Sequence, residues 1–206
     1  MGKLLKLFNL KLDKNQFYII LSLLISGFLI TYISPTIVKD IYSKLPAEWI
    51  AFEALFGSIA GLIISMLWRD KVRETAIKKF LYLVAAETIC GIVLCLYLVL
   101  IEYNVWVLAI ASLIYTSFVT IFVGKCIMAF KSKLWNNEKR ENYDNNIQII
   151  GGIVSILGYA MALFFLPSLK TSLILWGVAY LVDDLGWAIV YYKNKNELME
   201  IENEEN

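Results

Sequence analysis

Apolar residues gather into six long runs, Phe17–Ser34, Trp49–Trp68, Phe80–Ile101, Val105–Phe130, Ile147–Leu166 and Thr171–Tyr192, with polar or charged breaks between them. Each run is near the roughly 20 residues that a helix needs to cross a bilayer. The three prolines, Pro35, Pro46 and Pro167, fall at or beyond the ends of these runs, which suits helices that must satisfy their own backbone in lipid. The pattern predicts an all-α polytopic membrane protein with six transmembrane helices in a domain over 17–192. The first run is too long for a signal peptide, and no small-residue cleavage site follows it, so it is read as a retained helix. The links Glu102-Tyr103-Asn104 and Pro167 to Lys170 are short enough to predict spans three and four, and spans five and six, as antiparallel neighbours.

Two flanks complete the organisation. In segment 1–16, Leu4, Leu5, Phe8 and Leu12 share one helical face, flanked by Lys3, Lys6, Lys11 and Lys14. That predicts an amphipathic helix lying in the membrane interface. Segment 193–206 ends in the acidic "NELMEIENEEN" and reads as a disordered tail. Of the 19 Lys and Arg residues, 15 fall in 1–16, 69–79, 131–146 and 193–206, which six spans place on one side. The other side has Lys39, Lys44 and Lys170, and Lys125 lies within span four. This bias predicts cytoplasmic N- and C-termini (N-in/C-in) in a plasma or inner cell membrane.

Composition agrees with lipid as the solvent. The chain is 59% hydrophobic and 18% charged, with a mean hydropathy of +0.65, against about 45–50% and about 25% for a soluble domain. It has no histidine, which removes His metal sites and Ser-His-Asp triads. Cys90, Cys95 and Cys126 lie in apolar runs without a CxxC pair and read as reduced packing residues. A net charge of +1 argues against a nucleic-acid partner.

Candidate chemistry sits where charge interrupts the runs: Glu53, Glu87, Lys125, Asp183 and Asp184. An ionised group near the bilayer centre costs about 2.5–3.5 kcal/mol on insertion scales, so such residues persist when paired, hydrated or functional. At about 1.5 Å per residue, Glu87 and Lys125 lie about 10 Å from the same side, and the aspartates lie about 14–15 Å in. Glu87 and Lys125 are therefore expected to meet, with the Lys125 stem reaching toward the aspartates. Asp183 and Asp184 are about 100° apart on their helix, and Gly186 one turn on lets that helix press against a neighbour. Two acids this close, desolvated together, suit the holding and release of a proton or the binding of a cation, and the alternative is a static polar cluster that fixes helix packing. Tyr115, Tyr180 and Trp187 are expected to line an apolar pocket beside them, a combination that favours cationic or amphipathic ligands. Glu53, four residues from Trp49, is read as snorkelling outward.

Two stripes of small residues mark helix-packing faces: Gly57, Gly61 and Ser65 in span two, and Gly151, Ser155, Gly158 and Ala162 in span five. Lipid offers no hydrophobic drive between helices, so small residues allow the close backbone approach that holds them together.

The stretch "LFGSIAGLIISMLWRDKVRETAIKKFLYLV" resembles the junction of helices 2 and 3 in the major facilitator superfamily, where a Gly-rich helix ends in an Asp followed by basic residues. Asp70 falls at the Asp position and Lys71 and Arg73 at basic ones, while Met66 and Arg73 stand where the loop glycines would be. "KSKLWNNEKRENYDNNIQIIGGIVSILGYAMALFF" resembles the passage from helix 4 to helix 5 of some members. The resemblance implies a gating loop at Asp70, Lys71 and Arg73 and one six-helix half of a transporter whose site lies at the midplane. It also implies a homodimer, or pairing with a second six-helix chain.

The expected function is proton-coupled movement of a small cationic or amphipathic solute through the bilayer. The alternative is a non-transporting membrane subunit, an immunity, resistance or accessory protein acting through helix–helix binding. A lipid-phosphate enzyme would need a third acid at i+3 or i+4 from the Asp pair, where Trp187 and Ala188 stand. No enzyme activity, metal or cofactor is therefore expected.

Overall fold

A computed structural model describes residues 14–194, and every regular element in that range is helical. The expected interfacial helix, except for its last residues, and the acidic tail from residue 195 lie outside the described residues. The elements are α1 (Lys14–Lys44), α2 (Glu48–Leu67), the short α3 (Asp70–Lys78), α4 (Phe80–Leu100), α5 (Val105–Ile114), a π turn (Tyr115–Val119), α6 (Thr120–Leu134), α7 (Asn137–Phe164) and α8 (Leu169–Lys193). With α5, the π turn and α6 forming one span, six helices are long and apolar enough to cross a membrane.

The ends differ from the apolar runs at two places. α1 continues through Pro35 to Lys44, so Pro35 lies inside a helix rather than at its end. A proline inside a helix loses the bond to the carbonyl four residues back and crowds that carbonyl with its ring, and helices in lipid tolerate both. The next residue ties this part of α1 to the link between α7 and α8: Thr36 Oγ1 donates to the Pro167 carbonyl at 3.2 Å. Farther along α1, Asp40 and Lys44 pair at 2.6 Å. α7 starts ten residues before its apolar run, at Asn137. Its start is fixed by the Asn136 side chain, which accepts from Lys139 N at 2.9 Å, as an N-cap should. Asn104 and Ser168 cap α5 and α8 in the same way.

α8 is the hub. It packs along α1 on one side and α4 on the other, and α1 also carries α7. The short link after α7 therefore does not make α7 and α8 principal neighbours; each packs chiefly on α1. Gly186 is what brings α8 so close to α1: a Cβ there would stand 2.5 Å from Ser22 Oγ and 3.2 Å from Ile19 Cα. Gly158 plays the same part for α7, where a Cβ would stand 2.7 Å from Thr31 Cβ. Ala162, one turn on, is also buried. Gly151 faces open space and Ser155 is only half-buried, so the tight part of that stripe is its second half. On α2, Gly57 and Gly61 face Ser117 and Ile121, while Ser65 is exposed.

Two apolar cores occupy the two halves of the bundle. One, toward the Lys14 end of α1, contains Ile19, Phe80, Phe130, Trp187 and Val190. The other, toward Lys44, contains Ile33, Ile37, Leu98, Leu108 and Leu173. Between them α1, α4 and α8 each carry polar side chains: Ser26, Glu87 with Thr88, and Asp183 with Asp184.

Candidate functional site: an acidic layer between two apolar cores

The layer is built from adjoining helices at one height. Ser26 Oγ on α1 donates to Asp183 Oδ1 on α8 at 3.0 Å. Thr88 Oγ1 on α4 donates to Asp184 Oδ2. Tyr115, the first residue of the π turn, donates its phenol to Glu87 Oε1. Neighbouring positions on α8 thus point to different partners, as their 100° separation requires. Glu87 and Asp183 line one cavity, and Asp184 is the next residue on α8. The other oxygen of Glu87, Oε2, is buried and accepts no hydrogen bond among the described residues. The carboxyl keeps capacity for a proton or a donor there.

Glu87, Tyr115, Tyr180 and Asp183 line a cavity of about 510 Å³ between α1, α8 and the α5–π–α6 span. The Tyr115 and Tyr180 ring centroids are 4.6 Å apart. Gly91 makes room for Tyr180, since a Cβ there would stand 2.5 Å from its ring. Glu53 also lines this cavity and accepts from Tyr42 Oη at 2.8 Å, so it is held by a partner rather than directed away from the bundle. No Lys or Arg among the described residues lines the cavity. Glu87, Tyr115 and Val123 form a shared wall with a second cavity of about 450 Å³, lined otherwise by apolar side chains of α2, α4, the π turn and α6.

Several expected positions fall elsewhere. Lys125 does not meet Glu87; its Nζ lies 5.8 Å from the Trp68 ring centroid, and no ion pair joins it to the acids among the described residues. A lysine so placed gains from the aromatic face without desolvating a second charge. Trp187 does not line the cavity either. It is buried in the Phe80–Phe130 stack, whose rings are 4.4 Å apart and which Trp187 meets edge-on. Asp70, Lys71 and Arg73 lie on the exposed face of α3, a nine-residue helix anchored by Ala76 against α6, away from the acids. Cys90, Cys95 and Cys126 are free, with Cys90 exposed and the other two buried.

Sequence reasoning missed Ser26, Thr88 and Trp176, the last lining the cavity. The available signal for the two hydroxyls was depth: each lies about as far along its span as the acid it serves. A second polar cluster, Asp40 with Tyr103 and Lys44, ties the end of α1 to the loop after α4. The Tyr103 phenol is held above its ordinary range, first by burial and then by its bond to Asp40.

No protein-family model matches the chain, and no curated protein or solved structure matches it.

Proposed function

We propose that the chain is a carrier of the plasma or inner cell membrane, with both termini cytoplasmic, that couples protons to the movement of a small cationic or amphipathic solute. It is half the size of the facilitators that its helix 2–3 junction resembles, and we take it to act as a homodimer or with a second six-helix chain. The observation that carries this reading is the cavity lined by Glu87, Asp183 and Glu53, with aromatic walls and no Lys or Arg among the described residues that line it. Carboxylates placed inside a bilayer without a basic partner suit a proton or a cationic ligand. The orientation rests on the distribution of Lys and Arg.

Reconstituted vesicles with an imposed pH gradient test it. The wild-type chain should carry protons together with an organic cation, and Asp183→Asn with Asp184→Asn should abolish that flux in correctly folded protein. Absence of flux for every cation offered to the wild type would count against it. A second reading is favoured by the hydroxyl partner that each of Glu87, Asp183 and Asp184 has. In that reading the layer is a fixed polar clamp in a non-transporting subunit, and the same double substitution would lower stability or partner binding with no flux in any variant.

A further inference from the structure

The 510 Å³ cavity has walls at mid-height that belong to the outside of the bundle. Ile30, near the middle of α1, is 42% exposed and lines it. Thr116 and Thr120, near the middle of the facing span, are exposed and line it too. α1 meets this span chiefly at α5, leaving a seam beside the π turn. A seam at the middle of a spanning helix faces hydrocarbon rather than water.

The lips of the seam are suited to that solvent. Thr116 Oγ1 donates to the Ser112 carbonyl at 2.7 Å, and Thr120 Oγ1 donates to the Tyr115 carbonyl at 3.3 Å. Their hydroxyl donors are satisfied within their own helix, so they face lipid without an orphaned hydrogen. Ile30 and Val38 present only hydrocarbon from the other lip. Behind the lips stand Glu87 and Asp183, with the rings of Tyr115, Tyr180 and Trp176.

We infer that the seam between α1 and the α5–π–α6 span is a lateral portal, and that the ligand is a lipophilic cation already dissolved in the bilayer. Its charge seats against Glu87 and Asp183, and its apolar body stays against the rings and the lips. This rests on the proposed cation-binding role of the cavity and narrows the ligand class within it. A hydrophilic cation of the same charge has no path through hydrocarbon and little to bury at the rings.

The test measures both the affinity and the association rate of ligands binding to the full chain in phosphatidylcholine nanodiscs, with tetraphenylphosphonium and tetramethylammonium as probes. Tetraphenylphosphonium should bind at least tenfold more tightly than tetramethylammonium. Glu87→Gln or Asp183→Asn should weaken it tenfold or more. Plugging the seam with Ile30→Trp or, from the opposite lip, Thr120→Trp should slow tetraphenylphosphonium association tenfold or more in protein of unchanged helicity and size. Leu163→Trp, on an exposed face far from the seam, should leave it unaltered. An unchanged tetraphenylphosphonium association rate in both plugged variants would overturn the portal. Equal or tighter binding of tetramethylammonium, lost in Asp183→Asn, would overturn the lipophilic ligand and leave the cation site standing. If neither probe binds the wild type, the portal proposal falls, and proton-coupled flux of other cations then decides the carrier reading separately.

Discussion

Ser26 on α1 and Asp183 on α8 meet at 3.0 Å, Oγ to Oδ1, in the layer that separates the two apolar cores. Ser26 is 1% exposed, so this bond is sheltered from competition. Polar bonds between helices in membranes contribute about 0.5–2 kcal/mol. Ser26→Ala should therefore lower unfolding stability by about that amount, measured by thermal or denaturant unfolding in detergent, whereas Ser58→Ala, on exposed α2 and bonded only to its own helix, should change it little.

Close approach at Gly186 gives a sharper prediction. A Cβ there would meet Ser22 Oγ at 2.5 Å and Cβ at 2.8 Å, and neither is the far end of a flexible chain. Gly186→Ala should cost about 1–3 kcal/mol, as overpacking does. Gly151→Ala, facing open space, should be neutral or slightly stabilising through helix propensity. Equal losses at both positions would contradict the assigned packing of α8 on α1.

Lys125 offers a test of which partner it has. Placed by Trp68, it contributes about 0.5–1 kcal/mol at most, so Lys125→Met should shift stability by no more than that. Were it instead the counter-ion of Glu87, its removal would strand a buried charge and cost about 3–5 kcal/mol. The unfolding midpoint separates the two.

How far the molecule was legible in its sequence follows from what each signal measures. Hydrocarbon thickness sets the length of apolar runs, so all six spanning helices were readable. The polar extensions of α1 to Lys44 and of α7 back to Asn137 were not, because caps, ion pairs and bonds to other helices decide them beyond the apolar zone. Depth put Glu87 about 10 Å and the two aspartates about 14–15 Å into their spans, at different levels, yet Glu87 and Asp183 line one cavity. Depth says nothing about azimuth, however, and Lys125 and Trp187 point to Trp68 and to the Phe80–Phe130 stack instead. The small-residue stripes marked faces without telling which end of each face would be tight.

Tyr103 carries a pH dependence. Its phenol is held above the ordinary value of 10.0, by burial first and by Asp40 second. The folded state thus keeps its proton longer than the unfolded state, so this contribution is complete below pH 10 and is lost as pH rises beyond it. The thermal midpoint of the wild type should fall more steeply above pH 10 than that of Tyr103→Phe. Parallel curves would show that the Asp40–Tyr103 tie does not bear on stability.

The convergence of the three carboxyls is tested most directly by infrared difference spectroscopy of their carboxylic-acid bands during a pH titration, in the wild type and in Glu87→Gln, Asp183→Asn and Asp184→Asn. Acids that share one desolvated layer titrate as a coupled set, so each single substitution should move the titration midpoint of the remaining bands. Midpoints unmoved by removal of a neighbour would contradict a shared site and, with it, the carrier built on that site.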